Sequence, residues 1–540
     1  MSALLRDAPL GQLIRYATGS KIFAYPEEDP SFTCPMSYSH GASGGGEKPA
    51  ASLASTEPHL ETPPTVPEKL DDGTILVDWY TTDDPENPQN WSFGKKAFVS
   101  TQIYVYTLAV YMGSSIYSPA EPQVMEVFGV GQTAASLGLA LYVLAYGTGP
   151  LLFSPLSEIP SIGRNPPYMV SFAIFVILLV PTALVKNFAG LLVLRFLLGF
   201  FGSPCLATGG ASLQDMFSLI KLPYALLLWA FAATCGPAMG PIISGFSVSA
   251  ENWRWATWEL LWLSGPVFIV MFLALPETNP SNILLRRAQR LRKLTGNQNL
   301  KSKSEIEQAS LTVGAVATEA LVRPVQLIFL DPVIAYVDIY IGLCYAIFYS
   351  FFEAFPLVYI EVYHFNLGEM GLAFLALTVG VILAMIAYAL YVYMVVEPYM
   401  HKHGLGPPER RLIPALGSTI FIPVGLFIFA WTQRASIHWI VSCIGVGLFV
   451  FGLFILFQCV FVYLPLTYPQ YAASLFAGND FVRSTLAAGA VLYAGPLFHN
   501  LKVGPGVSLL AALTSVMVAG IYILYFYGDK LRARSKFAAK

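Results

Sequence analysis

Long apolar stretches, separated by short polar ones, dominate the chain from about residue 97 onward. A helix needs about 20 mainly apolar residues to cross a bilayer. In lipid, a helix satisfies all of its own backbone hydrogen bonds, so such stretches favour helices over irregular chain. We therefore predict an all-α membrane protein with twelve transmembrane helices, near residues 97–118, 134–153, 168–186, 188–213, 222–246, 255–275, 333–357, 371–395, 412–431, 437–463, 473–497 and 507–527.

One long polar interruption divides these predicted helices into two groups of six. Short loops between consecutive apolar stretches indicate antiparallel neighbours, and hence two bundles joined by a linker. The predicted units are a cytosolic N-terminal tail (1–96), an N-terminal six-helix bundle (97–275), a cytosolic linker (276–332), a C-terminal six-helix bundle (333–527) and a basic cytosolic C-terminal tail (528–540).

Three segments outside the predicted spans have patterns of their own. Residues 6–23 predict a short cytosolic helix, whereas residues 28–70 are rich in Pro, Ser, Gly and Glu and predict disorder. In the linker, residues 283–294 interleave four leucines with five basic residues, which is typical of an amphipathic helix at a membrane surface. This helix is either a spacer between the bundles or a binding element for anionic lipid.

The distribution of Lys and Arg among the loops predicts the orientation. One set of loops, together with the linker and the C-terminal tail, carries nearly all of these residues. The opposite set holds only Lys186, Arg254, Arg434 and Lys502. Both termini and the linker are therefore predicted to be cytosolic.

The composition excludes several function classes. The 540 residues are 55% hydrophobic and only 12% charged, and the net charge of −2 gives no basic surface for nucleic acid. The six cysteines show no metal-ligand spacing, so we expect reduced thiols and no metal site. No phosphate-binding G-x-x-x-x-G-K-[ST] loop and no HExxH motif occur. We expect neither an enzyme nor an ATP-driven protein, and no cofactor.

Two Gly-Pro pairs interrupt the fifth apolar stretch. Proline removes a helix hydrogen bond and glycine lets a neighbouring backbone approach closely. A helix of this kind must pack against protein rather than lipid. We predict a bent, tightly packed interface helix that carries Gly236, Pro237, Gly240, Pro241 and Gly245.

Charged residues inside the predicted spans are costly and therefore indicate function. Arg195 lies in the fourth span and Glu353 near the outer end of the seventh, so both fall in the outer half of the membrane. They are either a static charge pair at the outer gate or a proton-coupling pair that faces a central cleft. Asp338 is either a third proton site or a side chain that reaches the cytosolic surface. Around Glu353 the aromatic residues Tyr345, Tyr349 and Phe352 predict a cleft suited to bulky apolar ligands.

Further charges cluster where spans end on the predicted cytosolic side. Asp480 and Arg483 are spaced i, i+3 and share a helix face. With the loop charges Glu158 and Arg164 and with Asp215, they form either a cytosolic gate that opens and closes or a set of solvated loop charges.

Several motifs, taken together, resemble a known family. The two groups of six spans resemble the major facilitator superfamily. The motifs narrow the resemblance to fungal twelve-span drug:proton antiporters of the fluconazole and benomyl resistance branch. They are Asp84-Pro-Glu-Asn-Pro-Gln-Asn-Trp91, Leu156-Ser-Glu158-Ile, Arg195-Phe-Leu-Leu-Gly-Phe-Phe-Gly, the Gly236–Gly245 stretch, Phe352-Glu-Ala-Phe-Pro356 and Asn479-Asp480-Phe-Val-Arg483-Ser.

The resemblance implies roles for individual positions. Arg195 matches the span-four arginine associated with proton coupling, and Gly236–Gly245 matches the antiporter motif. Glu158, Gly163 and Arg164 match the acidic, glycine and basic positions of the loop between spans two and three. That loop departs from the superfamily pattern, since it is longer and lacks a second basic residue.

The predicted function is proton-coupled efflux of bulky apolar or aromatic compounds, such as azole antifungals, by alternating access at the plasma membrane. The predicted partners are these small molecules, protons and the lipid bilayer, and the predicted state is a monomer driven by the proton gradient. Two transport alternatives stay open: a dedicated exporter of one of the cell's own secondary metabolites, and a proton-coupled nutrient symporter. A non-transporting membrane sensor is a further alternative.

Overall fold

The apolar stretches fold as helices throughout. A computed structural model describes residues 2–32, 34–35, 38, 67–309 and 313–538. Within these residues, eleven helical segments are long and apolar enough to cross a membrane: Gln132–Glu158, Asn165–Leu184, Phe188–Met216, Leu222–Ala250, Trp255–Ala274, Pro332–Ile360, Leu367–His403, Pro408–Thr432, Trp439–Thr467, Ser474–Leu501 and Val503–Arg534.

These eleven segments correspond to the second to twelfth predicted spans. The first predicted span, 97–118, is also helical, as Phe93–Ser115, but it is not among the eleven. Its sequence includes Ser100, Thr101 and Gln102, and such polar residues lower its hydropathy. Gln102 is buried against protein, where its amide donates to the main-chain oxygen of Ala274 at 3.4 Å.

We number the helices in chain order. The first part of the chain contains α1 (Ser2–Asp7), α2 (Pro9–Ala17), α3 (Phe93–Ser115), α4 (Glu121–Phe128), α5 (Gln132–Thr148), α6 (Pro150–Glu158), α7 (Asn165–Leu184), α8 (Phe188–Gly202), α9 (Pro204–Met216), α10 (Leu222–Ala250), α11 (Trp255–Ala274) and α12 (Pro280–Thr295).

The second part continues from the linker. It contains α13 (Lys303–Ala309), α14 (Val313–Leu330), α15 (Pro332–Phe355), α16 (Leu367–Ala373), α17 (Leu375–Tyr391), α18 (Glu397–His403), α19 (Ile413–Thr432), α20 (Trp439–Thr467), α21 (Ala472–Leu501) and α22 (Val503–Arg534). Short helical turns of other types lie at Pro26–Glu28, Pro88–Asn90, Ser118–Ala120, Pro356–Ile360, Val392–Val396, Pro408–Leu412 and Pro469–Tyr471.

The long helices run alternately up and down and form two halves, residues 93–274 and residues 332–534. We call the end of the helices near residues 276–330 the linker side, and the opposite end the far side. The most extensive contacts between the halves join α5 to α21, and α10 to α16 and α17. The first seam contains Glu353 and the pair of Asp480 and Arg483, and the second contains Gly245.

The N-terminal tail is docked on the linker. Strand β1 (Ile75–Val77) pairs in parallel with strand β2 (Leu300–Ser302). Beside this pairing, Arg287 of α12 forms ion pairs with Asp84 at 2.6 Å and with Glu86 at 3.0 Å. Burial alone would raise the pKa of the Asp84 carboxyl, but the hydrogen bonds and the positive charge of Arg287 lower it below its usual value.

The tail and linker differ from the sequence prediction in three respects. The helix expected over 6–23 is split into α1 and α2 and ends at Ala17. The amphipathic helix expected over 283–294 extends over α12, Pro280–Thr295, because Asn279 caps its start and Gly296 (φ 72°) ends it. Two of its arginines, Arg287 and Arg290, bind acidic residues of the tail. Most of the stretch 28–70, where disorder was predicted, lies outside the described residues.

Candidate functional site

Arg195 joins three helices near the far side. It is only 4% exposed, and its guanidinium also lies over the rings of Tyr117 and Tyr142, at 4.9 and 4.6 Å. Because α3 ends at Ser115, its last main-chain carbonyls have no hydrogen-bond donors inside the helix. Arg195 provides these donors. Its nitrogens donate, at 2.8 to 2.9 Å, to the main-chain oxygens of Gly113, Ser114 and Gly138.

Glu353 binds across the two halves rather than to Arg195. Its carboxylate accepts hydrogen bonds from the Ser136 hydroxyl at 2.9 Å and from the Gln132 amide at 3.1 Å, both on α5. A second carboxylate, that of Glu121, lies 2.9 Å from the same hydroxyl. The two charges found from the sequence are thus both near the far side, but each has partners that the sequence did not reveal.

Hydroxyl groups and aromatic rings fill the seam between Glu353 and the middle of the protein. The Tyr146 hydroxyl of α5 lies 2.5 Å from that of Tyr345 and 3.0 Å from that of Tyr349, both on α15. Tyr349 also lies 2.9 Å from the Ser114 hydroxyl of α3. One turn further, the Phe352 ring stacks on Phe374 with centroids 5.2 Å apart. The three predicted aromatic residues therefore face one seam.

Asp480 and Arg483 lie in the middle of this seam, not at the linker-side surface. They form an ion pair at 2.6 Å, and both side chains are 7% exposed. Arg483 also donates to the Tyr111 hydroxyl of α3 at 2.8 Å and lies 5.0 Å from the Tyr345 ring. The expected grouping of this pair with the loop charges is therefore wrong, because α21 carries both residues into the interior.

Asp338 lies close to this pair and is buried. The Asn479 amide donates to one of its carboxylate oxygens at 2.7 Å. The side chain is 1% exposed, so the alternative in which it reaches the cytosolic surface is wrong. Asn479, which precedes Asp480 in α21, holds the Asp338 side chain inside the seam.

The loop charges form a separate cluster at the linker side. Arg164 pairs with Asp215 at 3.2 Å and donates to the Ser157 hydroxyl at 3.1 Å. The Glu277 carboxylate accepts from the main-chain nitrogens of Arg164 and Asn165, at 3.0 and 3.1 Å, and so caps the start of α7. Glu158 is solvent exposed. Sequence reasoning missed the role of Glu277, which lies three residues after the end of α11.

Gly163 is required by the backbone at this cluster. Its φ of 82° lies in the left-handed region, which favours glycine. A Cβ at this position would lie 2.5 Å from a Glu277 carboxylate oxygen. Glycine therefore allows Glu277 to reach the main chain of the loop.

The glycines of α10 form two different contacts. A Cβ on Gly236 would lie 2.7 Å from the Tyr111 Cβ, and one on Gly240 would lie 2.2 Å from the Ser115 hydroxyl, so both pack on α3. Gly245 packs across the other seam, where a Cβ would lie 2.6 Å from the main-chain oxygen of Leu367. Pro237 and Pro241 lie inside α10, which continues through them from Leu222 to Ala250.

A further contact between the halves lies at the linker side. The Lys221 ammonium pairs with Glu397 of α18 at 2.8 Å. No sequence pattern links these two positions, which are 176 residues apart. The halves therefore meet at the far side, in the middle and at the linker side.

This architecture is similar to a solved structure. The human organic anion transporter MFSD10 (TETRAN) superposes with a TM-score of 0.58 over 79% of this chain and 99% of its own, at 14% sequence identity. At this identity the likeness shows the fold alone. The two proteins share an all-helical fold.

Sequence relatives agree with the fold. The chain is 45% identical to the MFS-type transporter pyvG of Aspergillus violaceofuscus, over the whole of both chains. It is 41% identical to fluconazole resistance protein 1 of Saccharomyces cerevisiae, covering 85% of this chain and 84% of the relative. It is 36% identical to the citrinin biosynthesis cluster MFS transporter mrr1 of Monascus ruber, covering 86% and 93%.

The family profile described as Major Facilitator Superfamily matches residues 103–492, which include Arg195, Glu353 and both charged clusters. The resemblance predicted from the sequence motifs, including that to fluconazole resistance transporters, is thereby confirmed. The chain belongs to the Major Facilitator Superfamily and is a multi-pass membrane transporter, not an enzyme.

Proposed function

We propose that this protein exports bulky apolar or aromatic compounds, including azole-type antifungals, in exchange for protons. The observation that carries the proposal is a buried carboxylate, Glu353, that binds Ser136 and Gln132 across the two halves beside a seam of tyrosine hydroxyls. A titratable group that joins two moving halves links proton binding to their separation. The relative named fluconazole resistance protein 1 supports the substrate class.

The proposal includes a topology. Helix α3 crosses the membrane as the first of twelve spans, because it packs between α10 and α11 and binds Arg195 and Arg483. Both termini and the linker are cytosolic, as the Lys and Arg distribution favours. The predicted domain boundaries then apply, with the linker side in the cytosol and the far side outside. The protein acts in the plasma membrane as a monomer.

In this topology the contacts between the halves take part in alternating access. Glu353 with Ser136, and Gly245 with Leu367, close the outside. Lys221 with Glu397 closes the cytosolic side. Opening one side while the other stays closed carries the substrate across.

The proposed site residues divide by position. Glu353 belongs to the proton-coupling site, and Arg195 holds α3, α5 and α8 in register near it. The aromatic side chains Tyr345, Tyr349 and Phe352 contact the substrate. Gly236 and Gly240 pack α10 on α3 within one half, and Gly245 packs across the seam at which the halves move. Six further residues control the cytosolic opening: Glu158, Gly163, Arg164 and Asp215 at the loop, and Asp480 and Arg483 in the middle of the seam.

The proton gradient supplies enough free energy to export a substrate against its concentration ratio without ATP. A proton that enters the cell releases about 2.3 kcal/mol per 100 mV of membrane potential, in addition to any pH difference. Each tenfold concentration ratio of a neutral substrate costs about 1.4 kcal/mol. At a membrane potential of about 100 mV, one proton per cycle therefore supports a substrate concentration outside that is more than tenfold higher than inside.

A dedicated exporter of a secondary metabolite is the second candidate. The relative encoded in a citrinin biosynthesis cluster favours it. Both candidates use the same proton chemistry and differ only in the compounds that the aromatic seam accepts.

Transport in cells tests the proposal. We expect yeast that lacks its own drug pumps to accumulate several-fold less labelled fluconazole when it carries this protein, because export competes with passive entry. A protonophore should restore the accumulation, since it removes the driving force. The same cells without the protein provide the control. Unchanged accumulation, with the protein shown at the plasma membrane, would contradict azole export and favour the metabolite exporter.

A further inference from the structure

One serine hydroxyl on the far side lies between two carboxylates from different halves of the protein. Ser136 of α5 lies 2.9 Å from an oxygen of Glu121 and 2.9 Å from an oxygen of Glu353. Glu121 begins α4 in the first half, and Glu353 lies on α15 in the second. A third acceptor, the main-chain oxygen of Gln132, lies 3.1 Å from the same hydroxyl.

This arrangement requires a proton on one carboxyl group. A serine hydroxyl has one hydrogen to donate and lone pairs to accept with. It can donate to only one of the two carboxylates, so the other must donate to it. Two ionised carboxylates would instead leave one negatively charged oxygen facing the hydroxyl oxygen at 2.9 Å.

The surrounding groups favour Glu121 as the neutral carboxyl. Glu353 accepts a further hydrogen bond from the Gln132 amide at 3.1 Å, which favours its charged form. Glu121 is 8% exposed, and its second oxygen, Oε1, has no hydrogen-bond partner among the described residues. A buried oxygen without a donor favours the neutral acid. Hydrogens then run from Glu121 Oε2 to Ser136 Oγ, and from Ser136 to Glu353 Oε1.

The electrostatic surroundings support the same assignment. Burial, and then the nearby Glu353 charge, raise the pKa of Glu121 well above its usual value. The Arg195 charge opposes this shift, but its nitrogens donate to main-chain oxygens. The remaining titratable groups that face the pair are Tyr117, which interacts with Glu121, and His499 of α21, which interacts with Glu353.

We propose that Glu121, Ser136 and Glu353 form a shared proton site that keeps the far side of the transporter closed while the proton is bound. This proposal rests on the function proposed above and names Glu121 as the residue that carries the proton. Release of the proton from Glu121 Oε2 toward the linker side, the direction of inward proton movement, leaves two negative charges across the seam between the halves. Their repulsion separates α4 and α5 from α15, and the far side opens. Rebinding of a proton from outside closes it again.

The expected behaviour is a far-side opening that depends on pH. Spin labels are placed on Ala250→Cys and Ala435→Cys, two exposed far-side positions in different halves. The background carries Cys34→Ser, because the other five native cysteines are buried. In purified protein in liposomes, we expect the distance between the labels to be short at acidic pH and to lengthen at alkaline pH.

Substitutions in the pair should abolish this response. Glu121→Gln keeps a neutral side chain at every pH, so we expect a short distance and no pH-dependent lengthening. Glu353→Gln removes the opposing charge and should have the same result, which preserves the test if one variant fails to fold. Glu126→Gln provides the matched control, since Glu126 lies on the same helix α4 but is exposed. It should respond as the unsubstituted protein does.

The result that overturns the proposal is a normal pH-dependent lengthening in both Glu121→Gln and Glu353→Gln. Drug transport measured in the same liposomes separates this failure from that of the proposed function. If a pH gradient drives drug export and the distance between the labels lengthens normally in both variants, the proton site is rejected but the proposed export function is not. Absence of drug export, together with lengthening that disappears in Glu121→Gln, rejects drug efflux but supports the proton-controlled closure.

Discussion

Arg195→Ala is expected to reduce drug export at least tenfold while the protein still reaches the plasma membrane. The substitution removes the donors of three main-chain oxygens at 2.8 to 2.9 Å. Hydrogen bonds from a charged group contribute about 1.5–3 kcal/mol each. A loss of only about 1.4 kcal/mol in a rate-determining state already reduces a rate tenfold. Labelled fluconazole accumulation, corrected for protein at the cell surface, measures the effect.

Two further variants separate a local role of Arg195 from a general loss of structure. Arg254→Ala is the matched control, because Arg254 also donates to main-chain oxygens, those of Ala183 and Val185, at 2.7 and 2.9 Å. It lies in a far-side loop, away from the seam, and its loss should leave export nearly unchanged. Arg195→Lys keeps the charge but cannot reach three oxygens at once, so we expect intermediate export. Normal export by Arg195→Ala would contradict the role given to Arg195.

Arg483→Gln is expected to lower thermal stability strongly and to abolish export. Arg483 neutralises the buried Asp480 at 2.6 Å, with both side chains 7% exposed. Removal of one partner of a buried pair costs about 3–5 kcal/mol, because the other charge is left uncompensated. The melting temperature of the purified protein and export in cells are the two measurements.

The double variant Asp480→Asn, Arg483→Gln distinguishes a structural pair from a functional one. Because both charges of the pair are removed together, neither is left uncompensated, and we expect most of the thermal stability to return. Export should stay low, since the charge between the halves is lost. Arg292→Gln is the control: its pair with Glu305 is more exposed, at 17% and 32%, and such pairs contribute about 0–1 kcal/mol. Full recovery of export in the double variant would show that the pair is only structural.

The helices could be predicted from the sequence because hydrophobic length alone determines them. Eleven of the predicted spans match apolar helices of sufficient length. Helix α3 is the exception, because polar residues such as Gln102 face protein partners rather than lipid. The docking of the tail could not be predicted, since the pairing of Ile75–Val77 with Leu300–Ser302 joins distant segments that have no shared pattern.

The candidate site was predictable in its charges but not in their partners. Arg195 and Glu353 stand out because a charge inside an apolar stretch needs a reason. Glu121 was missed because it lies just beyond the first apolar stretch and reads as a loop residue. Arg483 and Tyr111 are 372 residues apart, so their contact depends on how the two halves meet. Hydrophobic periodicity and local residue spacing carry no information about how the two halves meet.

Drug-dependent proton movement in liposomes tests the central claim, exchange of a drug for a proton, most directly. The purified protein is reconstituted with a pH-sensitive dye inside, and an apolar drug is added under an imposed pH gradient. We predict that the drug accelerates proton release from the liposomes, and that a gradient without drug drives no such exchange. Drug movement with no accompanying proton movement would contradict proton-coupled export.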